Sequence, residues 1–141
     1  MGEEQSDGQS DGPEVGALHH VEVRVANLER AAPQWQWLLS ALRYQPFQRW
    51  AGGISWRCGP TYVVLEQAVE DGEHDRRRPG LSHLAFHAGS ARDVDQLWQE
   101  APDHGWGRLY SARYPYAGGP HHYAAFLENS ERFKVELVAS A

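Results

Sequence analysis

His20 and His83 each head an alternating apolar run, Leu18-His19-His20-Val21-Glu22-Val23-Arg24-Val25 and Leu81-Ser82-His83-Leu84-Ala85-Phe86-His87, and they stand 63 positions apart. A third run, Lys134-Val135-Glu136-Leu137-Val138, sets a carboxylate in the same alternation, and the stretch from Thr61 ends on another, Glu66. Imidazole and carboxylate donors suit a divalent metal: zinc, nickel, iron, manganese or cobalt. Two histidines and one carboxylate leave coordination positions open for water or substrate, as catalysis requires. Glu66 as a fourth ligand leaves about two positions open in an octahedral site. Such a metal can polarise a carbonyl, stabilise an enediolate, orient a phosphonate or bind oxygen, and the ligand types do not choose among these. Each residue alone has a plainer role, as a hydrogen-bonded rim histidine or an exposed strand carboxylate. The recurrence of the pattern in both halves singles the set out.

These residues need strands to hold them. Residues 18–25 alternate and favour β structure. Asn27 can cap a helix over about 28–42, with Pro33 in its first turns and Trp35, Leu38, Leu39 and Leu42 as its apolar stripe. Segments 44–50, 54–58 and 61–66, parted by Gly52-Gly53 and Gly59-Pro60, read as an antiparallel meander. After a charged linker at 67–80 the order repeats: a strand at 81–87, a helix from the Ser90 cap to about Ala101 with Val94, Leu97 and Trp98 inward, then strands at 106–110, 121–127 and 132–139. The fold class is therefore α+β: two βαβββ modules in tandem, 17–66 and 81–139, forming one domain (17–139) with a cupped mixed sheet and helices on its outer face. Successive strand side chains alternate between faces. That places His20, Glu22 and Arg24, then Tyr62, Val64 and Glu66, then His83, Ala85 and His87, then Lys134, Glu136 and Val138, on the face opposite the helices.

Composition bounds the rest. The 141 residues carry a net charge of −6, which argues against a nucleic-acid partner, since such proteins show a basic face. Arg76-Arg77-Arg78 follows Glu70, Asp71, Glu73 and Asp75 and reads as a solvated, charge-balanced loop. One cysteine, Cys58, allows no internal disulfide and no cysteine-based zinc site. No apolar run reaches the roughly 20 residues that span a membrane. Residues 1–16 are acidic and low in complexity, with no secretory signal, and read as a disordered tail of a cytoplasmic protein. Six tryptophans and six tyrosines are many for this length and suit a pocket or a Trp-rich surface as well as a core.

From about residue 17 to 139 the chain resembles the vicinal oxygen chelate superfamily of glyoxalases, extradiol dioxygenases and bleomycin resistance proteins. The matching stretches are Leu18-His19-His20-Val21-Glu22-Val23 with Asn27-Leu28-Glu29-Arg30-Ala31, Leu38-Leu39-Ser40-Ala41-Leu42, Gly80-Leu81-Ser82-His83-Leu84-Ala85-Phe86 and Phe133-Lys134-Val135-Glu136-Leu137-Val138. The resemblance implies metal ligands at His20, Glu66, His83 and Glu136, with Glu66 or Glu136 as the catalytic base. It sets Arg24 where glyoxalase I contacts a glutathione carboxylate. Tyr62, His87, His122 and Tyr123 are further substrate-binding candidates; the last two close a loop, 111–122, rich in glycine and aromatics. The stretch Glu128-Asn129-Ser130-Glu131-Arg132 departs from the family's usual turn before the last strand, and Arg43 stands where a glycine usually ends the first helix. The implied function is metal-dependent, glyoxalase-like isomerase or lyase chemistry on a small oxygenated substrate through a metal-stabilised enediolate. The alternatives are extradiol-type dioxygenation, or a non-catalytic small-molecule (drug) binding and resistance protein. A homodimer is the usual assembly of that superfamily.

Overall fold

A computed structural model describes residues 12–140. Residues 1–11 of the expected tail lie outside the described residues. Strand β1 (His20–Val25) buries Val23 and Val25 and exposes His20, Glu22 and Arg24, as its alternation requires. Helix α1 (Leu28–Ala41) starts where the Asn27 side chain accepts the backbone N–H of Arg30 at 3.0 Å. It buries Ala31, Trp35, Leu38 and Leu39. It ends one residue before Leu42, and the chain turns through Arg43 at φ 72°, a left-handed conformation that glycine adopts more readily.

Strands β2 (Gln45–Trp50), β3 (Gly53–Cys58) and β4 (Thr61–Gln67) complete the first module, in the order β1-β4-β3-β2. The second module runs β5 (Leu84–His87), α2 (Ala91–Glu100), β6 (Gly107–Leu109), β7 (Ala124–Glu128) and β8 (Lys134–Val138), in the order β5-β8-β7-β6. In each, the first strand lies parallel to the last: Arg24 faces Glu66, and Ala85 faces Glu136. The α+β class and the two tandem modules are as expected, and the strands form two four-stranded mixed sheets, one per module.

Several boundaries moved. β5 begins at Leu84 and β7 at Ala124, so His83 and His122 stand just outside their expected strands. The strand expected to reach Tyr110 stops at Leu109, because Tyr110 sits at φ 58° and turns the chain into a 3₁₀ segment, Ser111–Arg113. The linker is less solvated than its charge suggests. Arg76 is mostly buried, paired with Glu128, and donates to the Arg132 carbonyl at 3.3 Å; the carboxylate offsets the cost of removing the guanidinium from water. Arg77 and Arg78 stay exposed and pair with Asp75.

The core runs through both modules. Trp35, Trp56 and Trp106 are fully buried, and Trp50 alone of the tryptophans is among the exposed large side chains. A Trp-rich surface is therefore not what these residues form: their rings cost more in water than the polar groups around them. Trp35 of α1 meets Trp106 of the second module edge to face at 5.2 Å, and the Trp106 indole N–H donates to the Gln34 carbonyl at 2.9 Å. Glu131, in the β7–β8 turn, accepts from the backbone N–H groups of Ala26 at 2.7 Å and Asn27 at 3.2 Å, next to the start of α1. Among the described residues no helix is long and apolar enough to cross a membrane.

Candidate functional site

Alternation along β8 sends Val135 and Leu137 into the core and turns Glu136 to the open face of the second sheet. There Glu136 is buried all the same. His83 Nε2 lies 2.9 Å from its Oε1, and His122 Nε2 bonds its Oε2. A carboxylate only accepts, so both imidazoles donate through Nε2–H. His83 Nδ1 is then free to accept the Ser82 hydroxyl, 3.0 Å away. The floor beneath is Phe126, buried, in register with Glu136 and 6.3 Å from the His83 ring.

His122 reaches Glu136 because the preceding loop is pinned. Tyr114 and Tyr123 both donate their hydroxyls to Asp95 Oδ1 on α2, the first at 2.6 Å. Tyr114 also stacks on Trp98 at 4.0 Å. The two hydroxyl bonds hold the Asp95 carboxyl below the usual carboxylate value. Burial first, and Asp95 second, push the Tyr114 phenol well up; Tyr123 rises chiefly through its bond to Asp95. A Cβ on Gly118 would stand 2.8 Å from His122 Cδ2, so this glycine lets the loop close on the imidazole. Tyr123, expected to touch substrate, donates its hydroxyl to Asp95.

The first module's open face is organised differently. His20 stacks on Tyr62 at 4.8 Å and faces His19, Nδ1 to Nδ1, at 2.9 Å. Phe47 lies 5.2 Å from Tyr62, with the Arg57 guanidinium over it. Glu66 accepts from the Trp50 indole at 3.4 Å. Its hydrogen bond to Glu22, and then burial, raise the Glu22 carboxyl above its ordinary value. Arg24 is half-exposed, 4.0 Å from Glu22, and lines a cleft of about 1060 Å³ with the inter-module linker. His87 lines another cavity, of about 440 Å³, with Cys58 and Arg43.

The four expected ligands thus fall into two pairs. His20 and Glu66 have their partners within the first module, and His83 and Glu136 within the second. The donor types suit a divalent metal, but both Nε2–H groups of the second module are directed at Glu136. Among the described residues no group of three or more histidine, cysteine, aspartate or glutamate side chains is arranged to hold a metal ion.

Two residues outside the expected set, Lys134 and Tyr110, meet over Phe126, the register partner of Glu136. The Lys134 ammonium lies 3.0 Å from the Tyr110 hydroxyl and over the rings of Tyr110 (5.0 Å) and Phe126 (5.2 Å). Lys134, and then Arg76, hold the Tyr110 phenol below its ordinary value against the opposing effect of burial. Alternation had already put Lys134 on the face of Glu136; nothing in the sequence marked Tyr110 as its partner.

The Glyoxalase/Bleomycin resistance protein/Dioxygenase superfamily profile matches residues 19–126. An uncharacterized protein of Bacillus subtilis (strain 168), YqjT, is 46% identical over 125 residues, 86% of this chain and 98% of that protein. The crystal structure of a candidate glyoxalase from Bacillus halodurans is also 46% identical, with a TM-score of 0.85 over 89% of this chain and 96% of its own. A fosfomycin resistance protein from Mesorhizobium loti shares the fold, with a TM-score of 0.63 at 16% identity, over 91% of this chain and 95% of its own.

Proposed function

The chain belongs to the glyoxalase/bleomycin resistance protein/dioxygenase superfamily, and on that premise we propose that it moves a proton beside a carbonyl of a small oxygenated substrate, as glyoxalase-like isomerases and lyases do, with Glu136 as the base. The observation that carries this reading is the buried carboxylate held between His83 and His122 on an open sheet face. In the step, a Glu136 oxygen takes the proton from the carbon next to the carbonyl. The C–H electron pair forms the carbon–carbon double bond, and the carbonyl π pair moves to the oxygen. Once protonated, Glu136 accepts less strongly, so the Nε2–H groups of His83 and His122 can turn to the new oxyanion. Where the carbon that lost the proton carries a hydroxyl, that O–H proton passes to the oxyanion, its C–O bond becomes the new carbonyl, and Glu136 returns its proton to the former carbonyl carbon, which completes an isomerisation.

A divalent metal is the group the superfamily implies. The donor set has the right chemistry, but its arrangement within one chain does not fit a metal, so no step is assigned to one. The homodimer stays part of the proposal, supported by the edge strand β2, where Phe47 and Trp50 are partly exposed. A second reading, small-molecule binding without turnover, is favoured by the aromatic surface of His20, Tyr62 and Phe47.

Proton–deuterium exchange separates the two. In D₂O, the wild-type protein should speed exchange at the carbon next to the carbonyl of small ketones and ketoaldehydes, followed by NMR. Glu136→Gln should lose roughly 10²–10⁴-fold, the usual worth of a general base. No acceleration by the wild type across the panel, or full activity in Glu136→Gln, would overturn the enzymatic reading.

A further inference from the structure

In a chain of net charge −6, positive charge gathers around one tyrosine. Lys134 lies over the Tyr110 ring and bonds its hydroxyl, Arg113 lies over the same ring at 5.3 Å, and Arg76 adjoins the phenol. Arg132 is close by, 4.0 Å from Glu128. Glu128 is the acid in this group, and it is taken by Arg76 although it faces Lys134 directly across the β7–β8 pairing. Among the described residues Lys134 makes no ion pair. An ammonium has three donors, and here one goes to a phenol oxygen. Tyr110 is held at φ 58°, a left-handed conformation that few non-glycine residues adopt.

Position gives this cluster its meaning. Lys134 and Glu136 occupy the same face of β8, one strand repeat or about 7 Å apart, and Phe126 underlies both, paired with Glu136 and touched by Lys134. A small molecule whose reacting carbon rests at Glu136 would lay its next few bonds along Phe126 toward the ammonium.

We propose that Lys134 and Tyr110 form an anion-binding subsite that holds a carboxylate, phosphonate or phosphate group of the substrate beside Glu136. The proposal deepens the proton-transfer reading, on which it rests for the identity of the reacting end. The substrate class is then an anionic carbonyl compound, such as a 2-oxo acid. The ammonium supplies the charge and two further donors, and the Tyr110 hydroxyl a third. Arg113 raises the local potential without needing to touch the ligand, while the charge of Arg76 is offset by Glu128.

Binding is measured without turnover, so this test stands apart from that of Glu136. The probes are 2-oxobutyrate and its neutral isostere 2,3-pentanedione, titrated by ligand-observed NMR into the full chain. Wild type should bind the oxo acid at least tenfold more tightly than the diketone, and added sodium chloride should weaken the oxo acid alone. Lys134→Gln should bring the two affinities within about twofold, while Lys134→Arg, which keeps the charge, should retain the preference. Should Lys134→Gln fail to fold, Tyr110→Phe and the salt dependence of the wild type give the same reading, with a weakened preference expected from the first. Equal binding of both probes by the wild type overturns the subsite. So does a preference that Lys134→Gln leaves intact, or one insensitive to salt.

Discussion

His83 and His122 bond opposite oxygens of a single carboxylate, one from the entry to β5 and the other from the loop before β7. Glu136 is thereby held by parts of the chain that no local motif connects. Removing either ring leaves one buried oxygen unsatisfied, which costs about 1–3 kcal/mol. We expect His122→Phe to lose that much in urea unfolding and at least tenfold in exchange rate. A variant with unchanged stability and rate would show that the bond to Glu136 is incidental.

Gly118 lies against that second histidine. An added methyl at 2.8 Å from His122 Cδ2 must push the ring or the loop aside, and Phe126 at 3.4 Å closes the other direction. Gly118→Ala should therefore perturb the His122 imidazole signals in NMR and lower exchange, while the far-UV circular dichroism stays that of the wild type. Unaltered His122 signals would mean the loop has slack there.

Acid stability should report on Asp95. Its folded-state carboxyl is held below the usual value by the hydroxyls of Tyr114 and Tyr123, so the stability it contributes is full above about pH 4, the ordinary aspartate value, and is lost as pH falls through the depressed one. On the alkaline side both phenols are raised, so their contribution persists through about pH 10 and is lost only as pH climbs past their raised values. Asp95→Asn should flatten the acid limb in urea titrations below about pH 4. Some acid sensitivity should remain, because the backbone N–H groups of Arg77 and Ser90 depress Asp75 and Asp93 as well. An acid limb identical to that of the wild type would exclude the clasp as a contributor.

Arg76 ties the linker to the second sheet through Glu128. Arg76→Met keeps much of the stem and removes the charge, at an expected cost of about 2 kcal/mol for a partly buried, hydrogen-bonded pair. A double-mutant cycle with Glu128→Gln should show a coupling of at least about 1 kcal/mol; a value near zero would reassign the stabilisation to packing.

Strand alternation and the duplicated order made the architecture readable: burial alternates along β1 and β5, while β4 and β8 bury three successive residues at their centres. It also put Glu136 and Lys134 on one face. What alternation could not supply was anything outside the strands. His83 and His122 both act from positions just before a strand, where period two no longer applies. Tyr110 owes its place to a left-handed backbone, which a tyrosine does not announce. Whether pairs on separate sheets meet depends on how whole sheets are disposed, and residue spacing carries no information on that. Arg76 is hidden from the sequence for a related reason: a basic run beside an acidic one balances locally, yet the partner of Arg76, Glu128, lies in β7.

The exchange of contacts across the duplicated halves has a last consequence. The start of α1 is capped from the β7–β8 turn by Glu131, its Gln34 carbonyl accepts from Trp106, and its Trp35 packs there too. The first half therefore lacks part of the support of its helix start and core when the second is absent, whereas α2 is capped within its own half by Ser90 and Asp93. A gene for one module alone would encode a fragment with an open core. Duplication has here ended in one shared core, with Trp35 of one half packed on Trp106 of the other.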